Sequence, residues 1–219
     1  MKIEAILFDM IGTTVEERTP NTIITCFEKA FQQYGIDNTA TGIKAHRGKD
    51  KMEMIRIILE ESNYSLSLSK SIYDAFKNNV RENVASFVTC EGVPNILRTL
   101  RKQKIKIGLG SGLPRDLFEI VFSHLHWDKV DFDYIGISEE IGEARPHPAM
   151  IFDMMFSLGL NDKKAFLKVG DTVADIEEGK NAGVVTAAVL SGTQNEALIR
   201  LAEPDFILRK INAILSINI

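Results

Sequence analysis

The sequence has few cysteines, no basic segment and no long apolar run. Its 2 cysteines, Cys26 and Cys90, are too few for a disulfide framework or a zinc cluster. Lysine and arginine total 26 against 30 acidic residues, and this net charge of −4 without a basic run disfavours nucleic acid as a partner. Glu4 and Asp9 interrupt the apolar run at the start of the chain, so no signal peptide is expected. These absences favour a cytoplasmic protein with neither a membrane nor a nucleic acid partner.

The remaining composition is that of an ordinary globular protein. Apolar residues make up 45% of the chain and charged residues 26%, with 15 glycines and 6 prolines. This balance excludes a disordered chain, a collagen-like repeat and a membrane-spanning protein. A length of 219 residues suits one large domain, or one domain that carries a smaller partner.

Two different patterns of apolar residues divide the chain. Residues 3–8 form a short apolar run that predicts a buried strand, whereas residues 17 to 88 show only helical periodicity. After Cys90, predicted strands and helices alternate along the sequence. Helices are predicted in the first region at about 19–34, 49–61 and 69–84, and strands in the second at about 105–109, 133–137, 165–169, 184–190 and 205–208.

The alternation of strands and helices predicts an α/β fold. Strands separated by helices build a Rossmann-like, doubly wound parallel sheet with helices on both faces. Because the first strand precedes the helical region and the other strands follow it, the helical region is an insertion. We therefore predict a core of residues 1–16 and 89–219 and an inserted all-helical cap domain of residues 17–88.

Three short polar segments fall at the predicted carboxyl ends of strands, where ligands bind in such sheets. They are residues 9–14 (DMIGTT), 110–112 (GSG) and 170–175 (GDTVAD). Each has a purely structural alternative, because an aspartate beside a glycine is common in turns, Ser111 can cap a helix and Asp175 can favour a helix start. Their joint position at one edge of one sheet favours a functional site.

The aspartates of these segments predict a cation site. Asp9, Asp171 and Asp175 would bring three carboxylates into one crevice, where a cation must offset their repulsion. Oxygen ligands without histidine or cysteine favour Mg²⁺, whose shell also accepts phosphate oxygens. A fourth segment, residues 142–148, supplies Arg145, which suits a phosphate-like anion or, alternatively, pairs with a carboxylate.

The four segments, in this order and with a helical insertion between the first and second, resemble the haloacid dehalogenase superfamily of phosphoryl-transfer enzymes. The resemblance covers the whole chain and implies a hydrolase with a C1-type helical cap, Mg²⁺ and an aspartyl-phosphate intermediate. It implies that Asp9 is the nucleophile and places Arg145 where most members carry lysine. It further implies a metal site formed by Asp9, the backbone carbonyl of Ile11, Asp171 and Asp175, and a phosphoryl group positioned by Thr13, Ser111 and Gly112.

Ile11 departs from the usual pattern of this superfamily. Most of its phosphatases carry a second aspartate at this position, which protonates the alcohol leaving group and activates water. Isoleucine has no proton to give, and loss of a general acid typically costs about 10²- to 10⁴-fold in rate. Efficient hydrolysis of a simple alkyl phosphate is therefore disfavoured.

One branch of the superfamily, phosphonoacetaldehyde hydrolase or phosphonatase, also has an apolar residue at this position. The sequence resembles that branch at residues 12–15, Ser111-Gly112, Arg115, Arg145-Pro146 and 168–172. The branch uses a cap lysine that forms a Schiff base with the substrate aldehyde, and Lys51 aligns with it, close to Arg47. The sequence departs from the branch at Thr19, Met54 and Leu113, where that site has a cysteine, a histidine and an aromatic residue.

Three roles are open for Lys51. It is expected to form an imine, to bind a substrate anion near Arg47, or to be a solvated charge at a helix start.

Three functions are open for the protein. The resemblance favours a Mg²⁺-dependent, phosphonatase-like hydrolase of a small phosphonate or organophosphate metabolite. A phosphomonoester phosphatase of the phosphoglycolate phosphatase or β-phosphoglucomutase type is the first alternative, and a non-catalytic phosphometabolite-binding protein with a degenerate site is the second. The sequence leaves open whether the protein is a monomer or a homodimer.

Overall fold

Parallel strands form the centre of the protein. The computed structural model describes residues 2–46 and 49–217. Its strands are β1 (Ala5–Asp9), β2 (Val15–Glu17), β3 (Phe87–Thr89), β4 (Lys106–Ser111), β5 (Tyr134–Ile137), β6 (Phe166–Gly170), β7 (Val185–Val189) and β8 (Phe206–Leu208). Six of them form one sheet in the order β5-β4-β1-β6-β7-β8, and all neighbours in it are parallel. The predicted Rossmann-like parallel sheet is confirmed.

The described chain between β2 and β3 is helical. Its α-helices are α1 (Thr22–Gln32), α2 (Ala40–Ala45), α3 (Lys51–Glu61) and α4 (Ser69–Glu82). α1 packs on α4, where the rings of Phe27 and Phe76 stack with their centroids 3.7 Å apart. The Asp50 carboxylate accepts a hydrogen bond from the Glu53 amide at 2.9 Å and so caps α3. This cap fixes the start of the helix whose first residue is Lys51.

Helices cover both faces of the sheet. Ile6 and Phe8 belong to one apolar cluster and Ala5 and Leu7 to another, because successive side chains of a strand point to opposite faces. Burial of each large apolar side chain contributes about 1.5–3 kcal/mol. The remaining described α-helices are α5 (Val93–Lys102), α6 (Arg115–His124), α7 (Ser138–Ile141), α8 (Ala149–Ser157), α9 (Val173–Ala182) and α10 (Glu196–Leu201).

Three local features differ from the predicted elements. α1 begins at Thr22, after Asn21 in a left-handed conformation, and not at about residue 19. The short helix α2 and the paired strands β2 and β3 lie where neither helix nor strand is predicted, because such short elements show no periodicity. Among the described residues, we find no helix with the length and apolar character needed to cross a membrane.

A two-stranded antiparallel ribbon, β2 with β3, leads into and out of the helical segment. Val15 pairs with Thr89 and Glu17 pairs with Phe87. The predicted boundaries, after residue 16 and before residue 89, fall within this ribbon, and the division into two domains stays a prediction. We call residues 17–88 the cap and the rest of the chain the core.

Candidate active site

The carboxyl edge of the sheet gathers the three predicted polar segments. β1 ends at Asp9, β4 ends at Ser111 and Asp171 directly follows β6. Because β1 lies between β4 and β6, these residues lie at one crevice. Gly12 has a φ of +98°, and a Cβ at this position would lie 2.3 Å from Oδ2 of Asp171. Glycine therefore allows the loop after β1 to approach Asp171.

Three buried carboxylates meet in this crevice. One oxygen from each of Asp9, Asp171 and Asp175 lies within 4.8 Å of the other two. All three residues are buried, with exposed fractions of at most 5%. Carboxylates this close repel one another in a medium of low polarity, so the group needs positive charge nearby.

Asp171 is held by hydroxyl and amide donors. Thr13 Oγ1 donates to Asp171 Oδ1 at 3.2 Å, and the Thr193 amide donates to Oδ2 at 2.7 Å. The Thr193 hydroxyl also donates to Oδ2. Burial, followed by the negative charges of Asp9 and Asp175, raises the pKa of Asp171 to about 7. The carboxyl therefore holds a proton up to neutral pH unless a cation takes its place.

Asp175 lies in the first turn of α9, where it both caps the helix and faces two cations. Thr172 Oγ1 donates to Asp175 Oδ2 at 2.5 Å and accepts a hydrogen bond from the Asp175 amide at 3.2 Å. The other oxygen, Oδ1, lies 2.5 Å from NH1 of Arg145 and 3.0 Å from Nζ of Lys168. Burial acts to raise the pKa of Asp175, but Arg145 and Lys168 outweigh it and hold the pKa well below its usual range.

Arg145 connects two of the three aspartates. Its NH1 donates to Asp9 Oδ1 and to Asp175 Oδ1, both at 2.5 Å. The Arg145 side chain is only 6% exposed, so these are buried ion pairs. Burial raises the pKa of Asp9, while the Arg145 charge opposes that rise. The pairing of Arg145 with carboxylates, which is one of its two predicted roles, is present, and the same residue also lines the cavity beside Asp9.

A cavity of about 60 Å³ lies beside Asp9. Two cap residues, Ile23 of α1 and Lys51 of α3, form part of its wall. Core residues form the rest of it: Asp9, Ile11, Ser111, Gly112, Leu113, Arg145 and Thr172. A cavity of this size suits a small ligand.

Lys51 and Arg145 approach the same glycine from the cap and from the core. A Cβ at Gly112 would lie 3.0 Å from NH2 of Arg145 and 3.5 Å from Nζ of Lys51. Lys51 Nζ also donates to the Lys49 carbonyl at 3.3 Å. Lys51 thus lies at the crevice and not on a solvated helix face. Arg47, which is predicted to bind substrate near it, lies outside the described residues.

Lys168 and Glu178 lie beside the site and are absent from the predicted set of site residues. Lys168 Nζ lies 2.9 Å from Glu178 Oε2. Burial lowers the pKa of Lys168, but the carboxylates of Glu178 and Asp175 outweigh burial and raise it. Burial raises the pKa of Glu178. The available signal in the sequence is that Lys168 is the one charge in the otherwise apolar strand Phe166–Gly170, all of which is buried.

The buried charges at this site do not cancel. Within residues 2–46 and 49–217, the buried charged side chains are Asp9, Asp171, Asp175 and Glu178 on one side and Arg145 and Lys168 on the other. When all four carboxylates are ionised, they exceed the two cations by two negative charges, which one divalent cation would balance. Oxygen donors alone favour Mg²⁺. The residues present fit the predicted metal, and Asp9, Asp171 and Asp175 are positioned to hold it.

The fold and the crevice define a class of enzyme. Residues 6–189 match the family of haloacid dehalogenase-like hydrolases, and the chain belongs to that family. This confirms the predicted superfamily and the prediction of a hydrolase.

The chain is similar to curated phosphonoacetaldehyde hydrolases and to solved structures of related hydrolases. Phosphonoacetaldehyde hydrolase from Bacillus cereus is 29% identical over 211 residues, which are 90% of this chain and 80% of that protein. Among solved structures, a phosphonoacetaldehyde hydrolase like protein from Oleispira antarctica has a TM-score of 0.86 at 20% identity, covering 99% of this chain and 91% of that one. A predicted phosphoglycolate phosphatase from Haemophilus somnus has a TM-score of 0.82 at 19% identity, covering 100% and 99%. At these identities the two structures show the fold.

Proposed function

We propose that the protein cleaves the carbon–phosphorus bond of a small phosphonate aldehyde of the phosphonoacetaldehyde type. The observation that carries the proposal is that Lys51 lines the same cavity as Asp9, with Ile11 at the position of the usual general acid. An amine beside the nucleophile can form an imine with an aldehyde, whereas isoleucine cannot protonate an alcohol leaving group. The 29% identity to Bacillus cereus phosphonoacetaldehyde hydrolase supports the same chemistry.

In this proposal, Lys51 prepares the leaving group and Asp9 takes the phosphoryl group. The Lys51 amine and one proton combine with the aldehyde and release water, which gives a protonated imine. An Asp9 oxygen attacks phosphorus, the carbon–phosphorus bond breaks and its electron pair passes into the imine, which becomes an enamine. Water then hydrolyses the aspartyl-phosphate to free phosphate. A proton and a second water convert the enamine to acetaldehyde and restore Lys51.

Residues of the core bind the phosphonate group. Ser111 Oγ accepts a hydrogen bond from the Leu113 amide at 3.0 Å, which leaves its own proton for a phosphonate oxygen. The planar guanidinium of Arg145 suits the same anion. Mg²⁺, which Asp9, Asp171, Asp175 and the carbonyl of Ile11 would hold, supplies the charge that lets a carboxylate approach the phosphonate anion.

Borohydride trapping tests the imine step. Wild-type protein reduced in the presence of phosphonoacetaldehyde should carry a covalent adduct on the peptide that contains Lys51, and it should lose activity in step with labelling. Lys51→Arg keeps the positive charge but cannot form an imine, so this variant should show neither the adduct nor carbon–phosphorus cleavage. Lys49→Arg, two residues away, is the matched control and should behave as wild type. Phosphate release from phosphonoacetaldehyde without an adduct at Lys51 would contradict the imine step.

Hydrolysis of a phosphomonoester with a second anion is the other candidate. It is favoured by the closeness of Lys51 and Arg145 at Gly112, because two cations there suit a phosphate and a carboxylate in one molecule. Phosphate release from phosphoglycolate, with phosphonoacetaldehyde inert, is the result that would establish this function. If a broad panel of small phosphates and phosphonates gives no Mg²⁺-dependent release but still raises the melting temperature, the protein binds such metabolites without catalysis.

A further inference from the structure

Two buried charged residues of the core, Lys168 and Glu178, take no part in the proposed reaction steps. Lys168 and Glu178 are 1% and 0% exposed. The residues that line the cavity in the described chain do not include either of them. Any part that they play must therefore pass through other side chains.

A continuous series of ion pairs connects this pair to the nucleophile. Glu178 Oε2 lies 2.9 Å from Lys168 Nζ, which lies 3.0 Å from Asp175 Oδ1. The same Asp175 oxygen lies 2.5 Å from NH1 of Arg145, and that nitrogen lies 2.5 Å from Asp9 Oδ1. Four consecutive contacts thus run from Glu178 to Asp9, all of them buried.

The packing of α9 on the sheet creates this series. Asp175 and Glu178 are three residues apart on α9, so their side chains lie on one face of the helix. Gly179 follows them, and a Cβ there would lie 2.4 Å from Thr186 Cγ2 and 3.3 Å from the Lys168 Cβ. Glycine therefore brings this face of α9 down onto β6, where Lys168 is located.

Stability alone does not account for a buried ion pair of this kind. Removing a carboxylate and an ammonium from water costs several kcal/mol for each ion, and apolar residues of similar volume often fill such a site equally well. The Lys168 ammonium, however, contacts two carboxylates, and one of them is Asp175, whose Oδ1 also contacts NH1 of Arg145. The pair therefore constrains the direction in which Asp175 presents its oxygen to Arg145.

We infer that Lys168 and Glu178 form a positioning pair that fixes the Asp175 carboxylate and thereby aims Arg145 at the oxygen atoms around Asp9. The inference rests on the proposed phosphoryl transfer to Asp9. It applies equally whether the bond that breaks is carbon–phosphorus or oxygen–phosphorus. A guanidinium that is displaced by a fraction of an ångström still attracts an anion, while it loses its fit to the transition state. The pair should therefore affect kcat much more than KM.

The variants for the test are chosen to keep the protein folded. Lys168→Met with Glu178→Leu replaces both members by apolar side chains of similar size and leaves no buried charge without a partner. Glu178→Gln keeps the shape and removes one charge, and serves where the double variant does not fold. Lys106→Met is the matched control, because Lys106 is the first residue of β4, away from the carboxyl ends of the strands, and pairs with Asp133 at 3.0 Å.

Orthovanadate, which mimics the transferring phosphoryl group, and inorganic phosphate are the probes. We expect the double variant to lose about 10- to 100-fold in kcat with KM nearly unchanged. Orthovanadate affinity should fall by a similar factor, and phosphate affinity by less than about threefold. Glu178→Gln should show the same pattern with a smaller loss, and Lys106→Met should match wild type.

Two results would overturn the inference. The first is a folded double variant with wild-type kcat and orthovanadate affinity, which would make the pair structural only. The second is an equal loss of orthovanadate and phosphate affinity, which would indicate a collapsed site. Failure of the proposed function is recognised separately, since wild-type protein would then release no phosphate from phosphonoacetaldehyde, while both binding measurements can still be made.

Discussion

The core and the cap contribute different kinds of residue to the same cavity. The core supplies the buried charges, in which Arg145 and Lys168 contact carboxylates at fixed distances. Among its described residues, the cap supplies one apolar side chain, Ile23, and one amine, Lys51, at the first residue of a helix. The charged part of the site is thus buried, and the part of the cavity wall that the cap contributes is carried by two helices.

We expect this difference to divide the proposed reaction between the two regions, with phosphoryl transfer in the core and selection of the leaving group by the cap. Bringing a carboxylate to a phosphonate anion requires preorganised positive charge, which a buried cluster provides without reorganisation. Selecting the leaving group requires contacts at its surface, which Ile23 and Lys51 of the cap are placed to make in the proposed reaction. Changes in the core should therefore affect every substrate, and changes in the cap should affect some substrates only.

The largest effect is expected when Asp9, the proposed nucleophile of the core, is replaced. Asp9→Asn keeps the shape of the side chain but is a poor nucleophile, so Mg²⁺-dependent phosphate release should fall by about 10⁴-fold or more. Steady-state assays with phosphonoacetaldehyde and with phosphoglycolate measure this loss. Asp74→Asn, at an exposed cap position, is the control and should keep full activity. Activity within tenfold of wild type in Asp9→Asn would remove the assigned nucleophile.

Removal of Mg²⁺ comes next and should also act on every substrate. Chelation should abolish turnover, and added Mg²⁺ should raise the melting temperature more at about pH 8 than at about pH 6. The sign follows from Asp171, whose pKa is raised to about 7. Its raised pKa stabilises the metal-free fold at low pH, and this stabilisation is lost as pH rises through that value. The metal binds the ionised carboxylate and offsets the loss.

Calorimetry of wild type and Asp171→Asn with and without Mg²⁺ checks this prediction. The variant should lose most of the Mg²⁺-induced shift at both pH values. A shift of equal size at both pH values in wild type would contradict the part assigned to Asp171.

A gain of function should follow when the missing general acid is supplied. Ile11 lines the cavity beside Asp9, and Ile11→Asp should raise the rate of hydrolysis of a simple alkyl phosphate by about 10- to 100-fold. Ile11→Asn has a similar shape but no acidic proton, so it should give no gain. If both variants hydrolyse the ester equally fast, the absence of a general acid does not limit this reaction.

The smallest effect is expected when the surface ion pairs between the cap and the core are removed. Asp116 of α6 lies 3.2 Å from Lys77 and 2.5 Å from Arg81, both on α4, but its side chain is 41% exposed. Such pairs contribute about 0.2–1 kcal/mol, so Asp116→Asn should change KM by less than about twofold. Activity measured at low and high salt checks this, since wild type and variant should converge at high salt. A tenfold loss would show that these pairs hold the cap against the core.

Long periodic segments are the part of the fold that the sequence predicts well. The strand predicted at 184–190 is β7 (Val185–Val189), and one of the helices predicted to alternate with the strands is α9, which ends before Gly183 in a left-handed conformation. Buried apolar runs and glycine stops carry this information locally. β2 and β3 have three residues each, and their pairing across the whole cap leaves no local pattern.

The aspartates of the site could be found because each follows a predicted strand. Lys168 and Glu178 could not be assigned in the same way, since their contact depends on how closely Gly179 lets α9 approach β6. The approach of Lys51 to Gly112 depends on how near the cap lies to the core, which is a property of the packed chain. Local sequence patterns therefore do not predict residues whose contacts depend on how distant segments of the chain pack together.

The ribbon of β2 and β3 has a consequence for engineering. Since Val15 pairs with Thr89, the chain leaves and rejoins the core at adjacent residues, about 5 Å apart. An insert that begins and ends at neighbouring points places little strain on its host, whatever its length. The segment between the two strands is therefore a natural unit for exchange, and a helical insert from another hydrolase should bring its own substrate preference to the proposed phosphoryl-transfer centre.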